Sequence, residues 1–332
     1  MTTRFTSSRL LSVLLLSLLL MLAACGGQST TSSSSTSSNP TPTPTALDMY
    51  GTPITFPTTA PQRIVSLVPN TSEIMAALNL QSRTVGVDYN TNYPASMAAL
   101  PKVSNANGDY NVEQIIRLKP DLVLSYGGET KQYDTKLTAT GIHVVDLPLS
   151  NLSGVLQQVQ IIGRLTLTQD TANKIVAQMQ QQINQVKQAV AGKTAPTVLL
   201  EVDDSTPGKP YVFGGGSFGD ELLKDANAQN IFASNTTNAG YPQVTDEAII
   251  SANPQFVILT EDPAYGGNPA VVYKRPNWGV IAAVKMRRVY RVNADIIQRP
   301  DPRIVEGLRC LAQIVHPNAF TGSLPAYCSA SV

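Results

Sequence analysis

The chain has 332 residues, of which 42% are apolar and 14% charged, with a formal net charge of +1. That length supports real hydrophobic cores, and a near-neutral balance excludes bulk attraction to nucleic acid or anionic lipid. With two histidines the chain cannot assemble the His and carboxylate cluster of a zinc or manganese binder, and no metal site is expected.

Arg4 and Arg9 precede an apolar run from Leu10 to Leu22, too short to span a bilayer. It ends in Leu22-Ala23-Ala24-Cys25-Gly26, the pattern of a secreted lipoprotein signal: cleavage before Cys25, then acylation of its thiol. Residues 26–46 are rich in Ser, Thr and Pro and bury almost nothing, so they read as an unfolded tether, stiffest at the Pro-Thr alternation. Loss of the signal's two arginines leaves the remainder near neutrality.

From residue 47 onward strand and helix alternate. Gln62 to Val68 reads as a strand and Thr71 to Leu80 as a helix, with Asn70 and Glu73 as a capping box. Strands follow at Thr84–Val87, Leu122–Ser125 and Ile142–Asp146, the last of which includes His143. Apolar residues at Ala172, Ile175, Val176, Met179, Ile183, Val186 and Val190 then predict one long amphipathic helix from Thr168 to Gly192. Thr168 is positioned to cap it and Gly192 to end it. It reads as a rigid bar between lobes, the alternative being an ordinary packed helix inside one domain. Beyond it, strands are expected at Thr197–Val202, Phe256–Thr260 and Arg288–Val292, and helices starting near Phe218, Asp246 and Pro302.

Segments on either side of the bar repeat. Asn111 to Ser125 (NVEQIIRLKPDLVLS) aligns without a gap to Thr245 to Leu259 (TDEAIISANPQFVIL), matching Glu113 with Glu247 and Pro120 with Pro254. Each is a capped helix, a proline stop and a buried strand. The fold class is therefore α/β, two similar lobes with largely parallel central sheets joined by one long α-helix. The lobes are residues 47–166 and 194–332, with the helix at 167–193.

Ligands of such sheets sit beyond the carboxyl ends of the strands, and there this chain is rich in tyrosine. Tyr89 and Tyr93 follow the second strand, Tyr126 the third and Tyr265 the Phe256 strand, while Tyr110, Tyr211 and Tyr241 lie in nearby loops. About half should plug loop bases; the others predict an apolar slot with hydroxyls at its rim. Asp295 and Arg299 face each other or a ligand's amides. Cys310 and Cys328 are expected to pair outside the cytoplasm, a buried free thiol on a helix being the alternative. Gly215-Gly216-Ser217-Phe218-Gly219 fits G-x-S-x-G, with Asp246 or Asp295 and then His316 in hydrolase order. A serine hydrolase using Ser217 is thus the reading from another class, and helix capping the plainer role for that serine. There is no phosphate-binding loop for ATP.

With these residues in view, the chain resembles the substrate-binding lipoproteins of ABC importers, in the helical-backbone class that binds cobalamin, haem and iron-siderophores. The likeness to cobalamin binders is strongest. It is carried by RIVSLVPNTSEI, Tyr93-Pro94, NVEQIIRLKPDLVL, GGGSFGDELL, GYPQVTDEAI and RPDPRIVEGL. The resemblance implies an extracytoplasmic, lipid-anchored, monomeric binding protein, not an enzyme and without cofactor, that clamps a corrinoid between its lobes. Haem or a ferric siderophore is the alternative ligand. Family binding positions carry over to Tyr89, Asn90, Tyr126, Tyr211, Tyr241, Asp295 and Arg299. Glu113 and Glu247, both second in their helices, would meet arginine pockets on the two subunits of a permease that works with its own ATPases. The helix dipole alone also favours a glutamate at such a position.

Overall fold

A computed structural model describes residues 46–149, 151–261 and 267–329. The signal, the acylation site Cys25 and Tyr265 lie outside the described residues. Strands β1 (Ile64–Ser66), β2 (Thr84–Val87), β3 (Leu122–Tyr126) and β4 (Val144–Leu147) form an all-parallel sheet in the order β2-β1-β3-β4. Strands β5 (Thr197–Asp203), β6 (Tyr211–Val212), β7 (Gln229–Asn230), β8 (Phe256–Leu259) and β9 (Val289–Arg291) form the second. Its order is β6-β5-β8-β9, with β7 also beside β5, and β5 with β6 is the antiparallel pair. The expected two-lobed α/β architecture is present.

The strands are short runs of Val, Ile and Leu because both faces of each sheet are covered. Side chains alternate between the faces. Val65 and Val123 pack outward with Ile115 and Leu137, and Leu199, Val257 and Leu259 pack outward around Trp278. Their neighbours Ile64, Leu122, Leu124, Val198, Leu200 and Ile258 all belong to one inner core. That core continues through Val159 and Ile162 of the Leu152–Leu165 helix, Met179 and Ile183 of the Gln169–Val190 helix, and Leu308 and Leu311 of the Ile304–Val315 helix.

The connecting helix, Gln169–Val190, runs for 22 residues, about 33 Å at 1.5 Å per residue. It is no free-standing bar. Ala172, Met179, Ile183, Val186 and Val190 are buried, and a Cβ on Gly163 of the preceding helix would lie 2.4 Å from the Ala172 Cβ, so the two helices meet where only glycine fits. Gly192 ends the run with φ +71° as expected. Thr168 does not cap it: the side chain accepts nothing from the helix and its hydroxyl pairs with Thr166 at 2.8 Å.

The repeated unit is reproduced in both lobes. The Asn111 side chain accepts from the Gln114 N–H at 2.9 Å, opening the Val112–Arg117 helix. Thr245 accepts from Ala248 at 3.3 Å, opening the Asp246–Ala252 helix. Each ends in a left-handed residue at the same place in the repeat, Lys119 with φ +47° and Asn253 with φ +46°, one residue before its proline.

Elsewhere local expectations shift. The first strand covers Ile64–Ser66 alone, and His143 precedes β4 instead of lying on it. The first helix, Pro69–Ala77, begins at Pro69 with no side-chain cap. The Asn70–Glu73 capping box is therefore not formed, since both residues lie inside the helix and Glu73 is engaged elsewhere. Pro302 sits in a turn, two residues ahead of the last long helix. Cys310 and Cys328 are joined by a disulfide, Cα to Cα 5.6 Å, so the free-thiol alternative is set aside.

Candidate functional site

The loop after β2 is tied down by a carboxylate that sequence reading passed over. Asp88, buried, accepts from the Asn90 N–H at 2.8 Å, from the Ser104 hydroxyl at 2.6 Å and from Tyr110 at 3.4 Å. A run of hydroxyls, Thr71 to Ser66 to Ser72 to Thr91, links the same loop back to β1 over 2.5, 2.8 and 3.1 Å. The loop thus presents Tyr89, 49% exposed, and Asn90 from a fixed base.

Across the lobes a polar clasp closes on this loop. The Arg299 guanidinium donates to Glu73 at 3.0 Å and to the Asn92 amide oxygen at 2.7 Å, and pairs with Asp295 at 2.8 Å. Asn92 in turn donates to Asp295 at 3.0 Å, and Arg299 reaches the Asn90 carbonyl at 3.5 Å. Arg303 grips Glu73 from a second side, at 2.5 and 2.6 Å, and lies 4.0 Å from the Tyr93 ring centre. Asp295 and Arg299 do face each other, and both also bridge to the other lobe. They are not an exposed pair of little consequence, since each side chain is only 17% accessible.

Beneath the clasp lies Asp301, fully buried. Burial first, and then the charge of Glu73, raise its carboxyl well above the usual range. Burial alone would lower Arg303; Glu73 outweighs it and raises the guanidinium above its ordinary value.

The second group of candidates is aromatic. Tyr126 ends β3 in the first lobe, and Tyr241 lies in a loop of the second, its ring centre 5.4 Å from that of Phe213. Burial, and then Tyr126, raise the Tyr241 hydroxyl, and both rings pack against the one inner core. Tyr211, half-buried on β6, bridges Gln243 two residues beyond Tyr241. A cavity of about 390 Å³ opens beside this junction between Leu149 and Asn151 of the first lobe and Gly216, Ser217 and Phe218 of the second.

Of the sequence-derived candidates, the structure gathers Asn90, Asp295 and Arg299 in the clasp, with Tyr89 beside it, and sets Tyr126 and Tyr241 against one inner core, Tyr211 lying near Tyr241 through its bridge to Gln243. Tyr110 is a plug: its hydroxyl bonds the Leu67 carbonyl and Asp88, and its ring packs edge-on against Tyr133. Glu73, Asn92 and Arg303 were missed, because their partners lie more than 200 positions away in the chain. Glu113 and Glu247 are exposed near the starts of their helices.

The hydrolase constellation is not assembled. The Ser217 hydroxyl donates to the Gly214 carbonyl at 2.6 Å and accepts from Asp220 N at 3.2 Å, the plain capping role. His316 faces the Asn227 carbonyl at 3.0 Å. Among the described residues no group of His, Cys, Asp and Glu is set to hold a metal ion, and no helix is long and apolar enough to cross a membrane.

Comparison with known proteins adds three likenesses and a family match. The family model described as periplasmic binding protein matches residues 64–296. The uncharacterised ABC transporter substrate-binding lipoprotein YvrC of Bacillus subtilis (strain 168) is 33% identical over 267 residues, covering 78% of this chain and 82% of that protein. A cobalamin-binding protein of Halobacterium salinarum is 28% identical over 262 residues, covering 77% of this chain and 70% of its own length. A solved structure from Staphylococcus epidermidis, described as a possible iron-binding (periplasmic solute-binding) protein, superposes with a TM-score of 0.69 at 27% identity, over 78% of this chain and all of that one.

Proposed function

The chain belongs to the periplasmic binding proteins, extracytoplasmic solute-binding components of ABC importers, and we propose that the solute it captures is a corrinoid, cobalamin foremost. The observation that carries this reading is a set of aromatic rings on one inner core, Tyr126 from the first lobe and the Phe213–Tyr241 pair from the second. A flat macrocycle between such walls buries apolar surface on both faces, and an aromatic side chain brings about 150–250 Å² of its own. Tyr89 and Tyr211 extend the walls, and Asn90 supplies a polar rim for the amides that fringe a corrin. Asp295 and Arg299, paired with each other and each bonded to Asn92 of the first lobe, frame one end of the slot and hold its width.

Cys25 carries the lipid that keeps the protein at the membrane, and the chain works as a monomer. Glu113 and Glu247, one per lobe and both exposed, are the contacts for the two permease subunits. Haem is the second reading, favoured by the phenols, since tyrosine can ligate haem iron. Against it, burial raises the Tyr241 hydroxyl and disfavours the phenolate that ligation needs.

The test is calorimetric and optical titration of residues 26–332 with cyanocobalamin, haemin and a ferric hydroxamate. Saturable one-to-one heat with cobalamin is expected. A Soret shift with haemin, together with no heat from cobalamin, would reverse the assignment.

A further inference from the structure

Residues 46–63 precede the matched family segment, which begins at residue 64. They form a compact strap. Leu47 bridges Pro53, Ile54 N donates to the Ala46 carbonyl at 2.8 Å, and Asp48 accepts from the N–H groups of Tyr50 and Thr52 at 2.9 and 2.7 Å. The strap grips the first sheet at its carboxyl end. Met49 N donates to the Asp146 carbonyl at 2.7 Å, and a Cβ on Gly128 would stand 3.6 Å from the Met49 side chain.

The decisive contact is the Tyr50 hydroxyl, 2.9 Å from Asp146 Oδ2 and 3.3 Å from Asp134 Oδ2. Those carboxylates sit beneath the turn that leaves β3. Asp146 also accepts from Gly128 N at 3.1 Å, and Asp134 accepts from Ser125 at 3.3 Å and Thr130 at 2.9 Å. Between Tyr126 and Thr130 the chain passes through Gly127 and Gly128, both with positive φ (+73° and +79°). Two successive glycines leave this turn without stiffness of its own, so the carboxylate and the strap supply it. Burial and the bond to Asp146 both raise the Tyr50 hydroxyl, which therefore remains a donor.

We propose that Tyr50 is a positioning residue for ligand capture, locking the Tyr126–Gly128 turn through Asp146 and so setting the wall against which the macrocycle rests. This rests on the cobalamin reading above, and deepens it: part of the slot's geometry is fixed by a segment ahead of the matched residues 64–296, directly after the tether.

The test uses the full chain in detergent, as wild type, Tyr50→Phe and Tyr50→Ala. Tyr50→Phe keeps the ring and removes only the donor. Cobalamin affinity is expected to fall about tenfold, the amide of Gly128 to exchange about tenfold faster in the unliganded protein, and the melting temperature to move by less than about 2 °C. Affinity within about twofold of wild type in both variants would overturn the proposal. So would a large melting shift with unchanged affinity, the mark of a merely structural role. If the wild type bound no cobalamin, the ligand assignment would fall on its own. The exchange experiment would then decide separately, with unaltered Gly128 exchange in Tyr50→Phe refuting the lock and faster exchange upholding it.

Discussion

Glu73→Gln tests the clasp between the lobes. The carboxylate is buried and receives three N–H donors, one from Arg299 at 3.0 Å and two from Arg303 at 2.5 and 2.6 Å. Each bond to a charged partner is worth about 1.5–3 kcal/mol, and removing one member of a buried ion pair costs about 3–5 kcal/mol because the other charge is stranded. Two features soften the loss. Glutamine keeps one acceptor oxygen, and the neighbouring Asp301, whose carboxyl the Glu73 charge helps to raise, is relieved of that charge. A net loss of about 3 kcal/mol is expected, or roughly 6 °C in melting temperature for a chain of this size. Calorimetry on Glu73→Gln, Arg303→Gln and the double variant isolates the pair, with an expected coupling of about 2 kcal/mol. Coupling below about 0.5 kcal/mol would refute the claim that these groups hold the lobes together.

Three further outcomes are open to measurement. Replacing Glu113 and Glu247 together with lysine should abolish uptake in whole cells while leaving cobalamin affinity unchanged; weakened ligand binding would count against a docking role. Changing Cys310 and Cys328 to serine opens a closure of 18 residues, with an expected loss of about 3 kcal/mol, read as a lower melting temperature that reductant reproduces in the wild type. Glu261, raised from 4.5 to about 8 by burial and then by Glu201, contributes stability that is complete below 4.5 and is lost as pH rises through 8. Glu261→Gln should therefore flatten the fall in melting temperature over that interval, and an unchanged profile would refute the assignment.

What could be read from the residues alone was whatever depends on near neighbours. The Asn111 and Thr245 caps, the 3.6-residue period of Gln169–Val190 and the glycine at its end are local, and all three stand. The failures are instructive for the same reason. Asn70 and Glu73 have the spacing of a capping box, but Pro69 already supplies the first helical residue, and Glu73 finds stronger partners more than 220 positions away. Tyr110 and Tyr126 look alike in sequence, yet one hydroxyl is buried against a carbonyl and the other ring ends a strand at the lobe junction. The strap was invisible because its anchor, a tyrosine on two aspartates 84 and 96 residues later, has no periodic signature.

The shared inner core bears on how the importer can tell a full carrier from an empty one. Swinging the halves apart would expose leucine and isoleucine from both sheets to water, at about 25 cal/mol for each Å² uncovered. An opening that wetted a few hundred Å² would cost as much as the chain's entire folding margin. Travel at this joint is therefore confined to small angles, so the outer helices that begin at Val112 and Asp246 keep nearly the same spacing with or without a bound solute. If a permease docks on Glu113 and Glu247 as proposed, that spacing alone would admit vacant carriers almost as readily, and traffic would have to be sorted by sensing the cargo itself or by the ratio of loaded to vacant copies.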